Sequence, residues 1–242
     1  MNFLYLRKDK DDSRKRRLFC RPLPLGYSMA QRVNLDAMIP RADFATQDQE
    51  YTMQLFKDFP IANLDDASPV RTLLRKPDFQ RETNHWSPDQ IVTFIESFLD
   101  NQLIPALILW KSPTHIFVID GGHRLGALRA WITDDYGDGA ISLKFYGGEI
   151  SDDQKRTAKR VRSLIETKIG RYTALKALVG ATTATSQQTK RTGNLVTRAL
   201  DLQWVQGNAD VAETSSSTLI HKEPRLTKLK QCSLGIVKRQ QR

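Results

Sequence analysis

The chain of 242 residues carries a formal net charge of +10, is 40% hydrophobic and contains two cysteines. Its length suits one well-formed core, and no apolar run approaches the ~18 residues that a membrane-spanning helix needs. Cys20 and Cys232 lie near opposite ends, so the sequence suggests neither a disulfide framework nor a cysteine metal cluster. We therefore expect a cytoplasmic protein with no membrane partner.

The excess positive charge lies in two terminal segments. Residues 1–20 carry a net charge of +4, residues 219–242 carry +6, and residues 21–218 are neutral. The central part of the chain therefore gives no electrostatic argument for DNA binding. We predict a basic, disordered leader over 1–28, with Met29 as a candidate translation start, and a basic tail over 214–242.

Short apolar runs alternate with helical patterns from residue 29 to residue 150, which favours an α+β domain. "FPIANLDD" is predicted to contain a short strand, and Pro77 excludes a helix through the segment that follows. "ALILW" and "HIFVI" are separated by "KSPT", so they predict two neighbouring buried strands joined by a turn.

The strongest helix pattern is "SPDQIVTFIESFLDNQ". Ser87 is its predicted N-cap, Pro88 fits the first helical position, and Gln90 completes a capping box. An apolar stripe follows at helical spacing, formed by Ile91, Phe94, Ile95 and Phe98.

The segment 151–213 is predicted to be a helical extension. "AISLKFYG" before it alternates like a strand, and "SDDQKRTAKRVRSLIETKI" is predicted to be a helix whose basic residues face water. Residues 181–194 are polar and β-branched, which is typical of a linker, and "LVTRALDLQWVQ" is predicted to form one more helix.

"VIDGGHRLGAL" places two glycines between a predicted strand that ends at Asp120 and a helix that begins near His123. Free backbone N–H groups and the helix dipole attract an anion at such a point, and Gly121 and Gly122 let it approach closely. Arg124 adds donors for phosphate oxygens, and His123 can donate a hydrogen bond or shuttle a proton near neutral pH. Asp120 suits a divalent cation, a helix cap or the orientation of a neighbour. A turn with a capping Asp and solvated basic side chains explains the same residues without a ligand.

Several motifs together resemble the N-terminal domain of GmrSD-type restriction endonucleases, over about residues 61–147. They are "KPDFQRETNHW", the capped helix, "IPALILW" and "VIDGGHRLGAL", in that order. The resemblance implies a ParB/sulfiredoxin-like fold, with a small mixed sheet and flanking helices, and a signature written DGQQR or DGxHR. Residues 120–124 match that signature. Gly122 and His123 replace its two usual glutamines and are closer to a sulfiredoxin-type phosphate loop.

The resemblance further implies a nucleotide-binding domain of a restriction or phage-defence protein. It implies nucleotide binding more directly than nucleotide hydrolysis. The implied catalytic residues are Asp120, His123 and Arg124, and Asp120 would also hold Mg²⁺. The implied phosphate-binding residues are Gly121, Gly122, Arg124 and the upstream pair Gln80 and Arg81. A nucleoside triphosphate and Mg²⁺ are thus the implied cofactors, and a separate nuclease subunit is an implied partner. A non-enzymatic DNA-binding adaptor and a nuclease acting directly on DNA stay open as alternatives.

Other polar and aromatic side chains fit structural roles. Trp86 suits stacking on a base, but packing of the helix start is the commoner role for such a residue. His85 is predicted at the surface and His115 within a strand. An acidic cluster lacks the spacing of a calcium loop and is predicted to be a solvated turn, formed by Asp134, Asp135 and Asp138.

The tail over 216–242 lacks apolar periodicity. Back-translation in a shifted frame, beginning at each codon's third base, allows "NFDTQGTALDEIEAMLIRNRKTPT", which has the acidic amphipathic pattern of the resembled family. We therefore hypothesise a frameshift in this tail and a truncated copy without a downstream nuclease. The coding DNA near Thr214 to Ser217 decides this, because a stop codon in that frame contradicts it.

Overall fold

A computed structural model describes residues 31–44 and 56–221 of the chain. The predicted leader over 1–28, Met29 and the tail beyond residue 221 lie outside these described residues. The described residues from Arg32 onward belong to one compact unit. None of their helices combines the length and the apolar character needed to cross a lipid bilayer.

Six strands of the described residues form one mixed sheet. They are β1 (Arg41–Ala42), β2 (Asp58–Pro60), β3 (Leu74–Pro77), β4 (Leu107–Lys111), β5 (Ile116–Asp120) and β6 (Ala199–Val205). Their order across the sheet is β1-β3-β5-β4-β6-β2. β3 runs parallel to β1 and β5, β4 runs antiparallel to β5 and parallel to β6, and β2 closes the far edge antiparallel to β6.

Helices flank this sheet, and the predicted α+β fold class is confirmed. The helices of the described residues are α1 (Pro69–Leu73), α2 (Pro88–Leu99), α3 (Gly122–Thr133), α4 (Ala140–Phe145), α5 (Asp152–Lys168), α6 (Tyr172–Ala177), α7 (Ser186–Thr197) and α8 (Ala209–His221). Short 3-10 turns lie at Asp36–Met38 and Ile61–Leu64. The finer ParB/sulfiredoxin-like arrangement stays a prediction.

The sheet separates two apolar clusters because alternate strand residues point to opposite faces. Leu109 and Val118 belong to the larger cluster, which includes residues of α2, α3 and α5. Trp110 and Phe117 belong to a smaller cluster with Phe44 and two alanines of α8. The central strands are therefore covered on both faces, which explains why their sequences are continuously apolar.

The predicted start of α2 is confirmed in detail. The Ser87 hydroxyl accepts a hydrogen bond from the Gln90 backbone N–H at 3.3 Å, and the Gln90 side chain accepts one from the Ser87 N–H at 2.8 Å. Ile91, Ile95 and Phe98 of the predicted stripe are fully buried. The fourth member, Phe94, is only half-buried, because it borders a surface pocket.

The strand predicted in "AISLKFYG" is wrong, because these residues form α4. The carboxylate of Asp135 accepts hydrogen bonds from the backbone N–H groups of Gly137, Gly139 and Ser142 at 2.9–3.0 Å, and from the Ser142 hydroxyl at 2.6 Å. It thereby satisfies donors around the first turn of the helix. Asp135 is 1% exposed, so the prediction of a solvated turn is wrong for this residue too.

The two other acids of the cluster, Asp134 and Asp138, form ion pairs with the same arginine side chain. Arg162 of α5 donates from Nε to Asp134 at 3.0 Å and from Nη2 to Asp138 at 2.8 Å. The prediction that the basic residues of α5 face water is therefore wrong for Arg162. No group of three or more metal-ligating side chains occurs among the described residues.

The chain after residue 180 also differs from its prediction. Helix α7 covers residues 186–194 of the predicted linker and residues 195–197 of the predicted helix, and Thr185 and Gln188 make its capping box. The following residues form β6 instead of a helix, parallel to β4, with Leu107 opposite Leu202. Leu200, Leu202 and Trp204 alternate as strand residues do, but a strand of this kind forms only beside a partner distant in the sequence.

We expect Asp135→Ala to lower the free energy of unfolding by about 2–4 kcal/mol, because four donors around α4 lose a buried carboxylate acceptor. Chemical denaturation with urea measures this change. The exposed Glu149→Ala is the matched control and should stay within about 0.5 kcal/mol of the wild type. Equal effects of the two substitutions would contradict the structural role of Asp135.

Candidate functional site

A pocket of about 600 Å³ opens where β5 passes into α3. All the predicted site residues line it, namely Gln80, Arg81, Asp120, Gly121, Gly122, His123 and Arg124. The two motifs meet because β3 and β5 are parallel neighbours, so their carboxyl ends lie at the same edge of the sheet. A second cavity of about 580 Å³ lies between β6 and α8, and among the described residues that line it Asp210 is the one charged side chain.

The two glycines of the turn play different roles. Gly121 is the N-cap of α3 with φ of 99°, and a Cβ on it would lie 2.3 Å from Cδ2 of Leu107. The fold therefore requires glycine there. A Cβ on Gly122 would meet nothing closer than 3.8 Å, at Oε1 of Gln80. No side chain of the described residues caps α3, so the first backbone N–H groups of this helix are left for another partner beside the pocket.

Arg124 is held by the protein itself. Its guanidinium bonds to the Asp120 carboxylate and to the carbonyl of Pro105, and it donates to the Ala106 carbonyl at 3.1 Å. The side chain of Arg124 is 12% exposed, whereas that of Asp120 is 49% exposed. Of the three roles considered for Asp120, the structure shows the orientation of a neighbour and not the helix cap. Direct contact between Arg124 and phosphate stays a prediction.

His123 lies in an aromatic stack at the other side of the turn. Its ring centroid is 5.6 Å from that of Trp86 and 5.7 Å from that of His85. Its Nε2 accepts a hydrogen bond from the His85 backbone N–H at 3.3 Å, which assigns the proton of the neutral ring to Nδ1. Burial, and then the charge of His85, lower the pKa of His123 to about 4. His123 is therefore neutral at pH 7, which favours hydrogen-bond donation over proton transfer near neutral pH.

Trp86 combines the two roles considered for it. It packs against the main core and meets Phe94 edge-on, with ring centroids 5.3 Å apart. It also lines the pocket beside His85 and His123. His85 is exposed, as predicted, but its place in the stack was not predicted. His115 lies just before β5, where its backbone N–H donates to the Ser112 hydroxyl at 2.9 Å, so its role is structural.

The two residues of the upstream pair, Gln80 and Arg81, differ in their contacts with the rest of the protein. Nε2 of Gln80 donates to the carbonyl of Ile119 at 3.1 Å, while its Oε1 is buried and has no partner among the described residues. Arg81 is exposed at the pocket and makes no hydrogen bond or ion pair with other described residues. Its guanidinium is therefore available to a ligand in a way that the guanidinium of Arg124 is not.

A buried charge network behind the pocket wall was missed by the sequence analysis. Asp36 accepts hydrogen bonds from Lys76, which is 1% exposed, and from the Thr83 backbone N–H at 3.1 Å. Arg41 donates to Asp36 and to the carbonyl of Gln80. Burial opposes the charge of Asp36, but the hydrogen bonds from Lys76 and Thr83 outweigh it and lower the pKa of Asp36. In the sequence, Lys76 is a single lysine before Pro77, and this pattern does not indicate a buried charge network.

The two glycines make a direct test of this geometry. We expect Gly121→Ala to lower the free energy of unfolding by about 1–3 kcal/mol or more, because it forces alanine into a left-handed backbone. Gly122→Ala should change it by less than about 0.5 kcal/mol, because its Cβ meets only ordinary contacts. Thermal and urea unfolding of both variants measure the difference, and a larger loss for Gly122→Ala would contradict the structure.

The protonation of His123 is a second test. NMR titration should place the midpoint for this ring near pH 4, with the resonance assigned by its absence in His123→Gln. Because the folded-state pKa lies below the ordinary value of 6.5, the contribution of His123 to stability is complete above pH 6.5 and is lost as the pH falls towards 4. A midpoint near 6.5 would show that the ring is not desolvated.

Comparison with known proteins assigns the chain to a family. The sequence profile described as "GmrSD restriction endonuclease, N-terminal domain" matches residues 63–225, which is more than half of the chain and includes both pocket motifs. No curated protein and no solved structure gives a significant match. The chain belongs to the GmrSD restriction endonuclease N-terminal domain family, as its motifs predicted.

Proposed function

We propose that the pocket at the β5–α3 junction binds a nucleoside triphosphate, in a protein that takes part in restriction or phage defence. The observation that supports this most is that two chemically different groups of residues line one pocket. The glycine turn, Asp120 and Arg81 line it together with an aromatic stack of Trp86, His85 and His123. Its volume of about 600 Å³ suits a ligand of nucleotide size.

The glycine turn is the proposed phosphate end. The N–H groups of the first turn of α3 and the positive end of its dipole favour an anion, and Gly121 adds no side chain that would hold it away. Arg81 supplies a guanidinium for phosphate oxygens that has no hydrogen-bond or ion-pair partner among the described residues. Arg124 adds its charge to this end while it holds Asp120 in place.

The aromatic stack is the proposed base end. Trp86, His123 and His85 form it, with Phe94 at its border. Flat aromatic surfaces stack on every nucleobase with little regard to its identity. The neutral state of His123 suits this contact, because its Nδ1–H can also donate to an uncharged or anionic acceptor without the cost of burying a charge.

Asp120 fits a Mg²⁺ ion that arrives with the nucleotide. Its carboxylate is half-exposed at the pocket, and one oxygen has no hydrogen-bond partner among the described residues. Mg²⁺ is usually bound by one or two carboxylates together with phosphates and waters, so a single protein ligand is sufficient. The ion would neutralise phosphate charge. Asp120 would hold it. Nucleotide turnover would then switch a nuclease on the same or another chain.

Two other functions use the same turn. A DNA-binding adaptor would grip a DNA phosphate there, and a nuclease would place a scissile phosphate there. The neutral charge of residues 21–218 favours the nucleotide, because DNA binding generally needs a basic surface. The aromatic end of the pocket also has no role in gripping a backbone phosphate alone.

The proposal is tested by calorimetric titration of the full chain with the four common nucleoside triphosphates and with inorganic triphosphate. We expect Arg81→Ala to weaken both classes of ligand about tenfold to a hundredfold, because it removes a charge-assisted contact to phosphate. The exposed Lys190→Ala on α7 removes the same charge outside the pocket and should leave both affinities unchanged.

Other results would favour the alternatives. Salt-sensitive DNA binding that is unaffected by nucleotide would support the adaptor, and metal-dependent DNA cleavage without nucleotide would support the nuclease. Absence of any nucleotide binding to the wild-type chain would overturn the proposed function.

A further inference from the structure

We propose that the recess above Gly122 is a hydroxyl-binding subsite that recognises the ribose of the nucleotide, an inference that rests on the proposed function. A Cβ on Gly122 would point into this recess, where its nearest neighbours are Oε1 of Gln80 at 3.8 Å and Oγ1 of Thr83 at 4.0 Å. Two polar atoms, from residues that line the pocket together with Gly122, therefore flank the side-chain position of residue 122 beside the first turn of α3.

The Gln80 side of the recess is a hydrogen-bond acceptor. Its amide is oriented by the bond from Nε2 to the Ile119 carbonyl, since only the amide nitrogen can donate to a carbonyl. The remaining oxygen is buried and has no partner among the described residues. A buried acceptor of this kind gains when a ligand supplies a donor, and it repels an anionic phosphate oxygen. Gln80 is therefore better suited to a hydroxyl than to the phosphate contact predicted from the sequence.

The Thr83 side is a hydrogen-bond donor. Lys76 donates to Oγ1 of Thr83 at 3.2 Å, which uses an acceptor position of the hydroxyl and leaves its proton for another partner. The recess thus offers one acceptor and one donor. A ligand hydroxyl satisfies both at once, whereas a phosphate oxygen satisfies only Thr83 and an ammonium group satisfies only Gln80.

The buried charge network holds both sides in place. Thr83 is fixed through its backbone, since its N–H donates to Asp36 at 3.1 Å and its carbonyl accepts from the Leu35 N–H at 2.9 Å. Gln80 is fixed through its carbonyl, which accepts from Arg41. A subsite held in this way needs little reorganisation when a ligand binds.

The identity of residue 122 is explained by this subsite. Its backbone does not require glycine, and alanine stabilises a helix better than glycine does. A glycine is useful there if the space of a side chain is taken by a ligand group. Because Gly122 is the first residue of α3, a group in the recess lies next to the proposed phosphate end. The ribose hydroxyls are the hydroxyl groups that a nucleotide presents near its phosphates.

The experiment compares nucleotides with and without these hydroxyls. The full chain is titrated calorimetrically with the tightest-binding common nucleoside triphosphate, its 2′-deoxy and 3′-deoxy forms, and inorganic triphosphate. We expect the wild type to bind at least one deoxy form about tenfold more weakly than the ribonucleotide, because the buried polar atoms of the subsite then lack their hydrogen-bond partner. Gly122→Ala and Gln80→Met should bind all forms with the weaker affinity, and inorganic triphosphate should bind all three proteins equally. Melting temperatures confirm that the variants are folded.

The possible failures are distinguishable. If the wild type binds no nucleotide, the proposed function is overturned and this inference falls with it. If nucleotides bind but the preference for ribose is absent, or persists in both variants, only the inference is overturned. A loss of inorganic triphosphate binding in Gly122→Ala would also overturn it, because the recess would then hold phosphate.

Discussion

The parallel pairing of β3 with β5 is the constraint on which the pocket depends. Leu74 lies opposite Ile116, and Arg75 lies opposite Phe117, so the two strands end at the same edge of the sheet. The chain leaving β3 then passes beside the turn that leaves β5. Gln80 and Arg81 reach the glycine turn for this reason, although about 40 residues separate them from it. Without this pairing the two motifs would not meet in one pocket.

The basic residues around the pocket have different functions, because their surroundings differ. The guanidinium of Arg124 bonds to Asp120 and to the carbonyls before β4, whereas that of Arg81 has no partner among the described residues. Arg41 and Lys76 are used to hold the wall. The site thus combines a preorganised frame of paired charges with few groups left open to a ligand, which is a common arrangement where binding geometry must be held closely.

Local signals predicted the elements that need no distant partner. The capping box at Ser87 and the strands on either side of "KSPT" formed as expected, because short-range contacts determine them. The errors occurred where distant contacts decide. "AISLKFYG" became helical because the Asp135 carboxylate organises its first turn, and "ALDLQWV" became a strand because β4 offered a free edge. A periodic pattern is compatible with more than one structure until its partner is known.

The sequence by itself determined the family, the α+β class and the residues that meet at the β-to-α turn, because these follow from motifs and spacing along the chain. Only the tertiary structure decided how those residues are used. It showed Arg124 bound internally, His123 desolvated within an aromatic stack, and the buried side-chain oxygen of Gln80 without a partner among the described residues. Burial and hydrogen-bond partners set these properties, and both depend on segments that come together only in the folded chain.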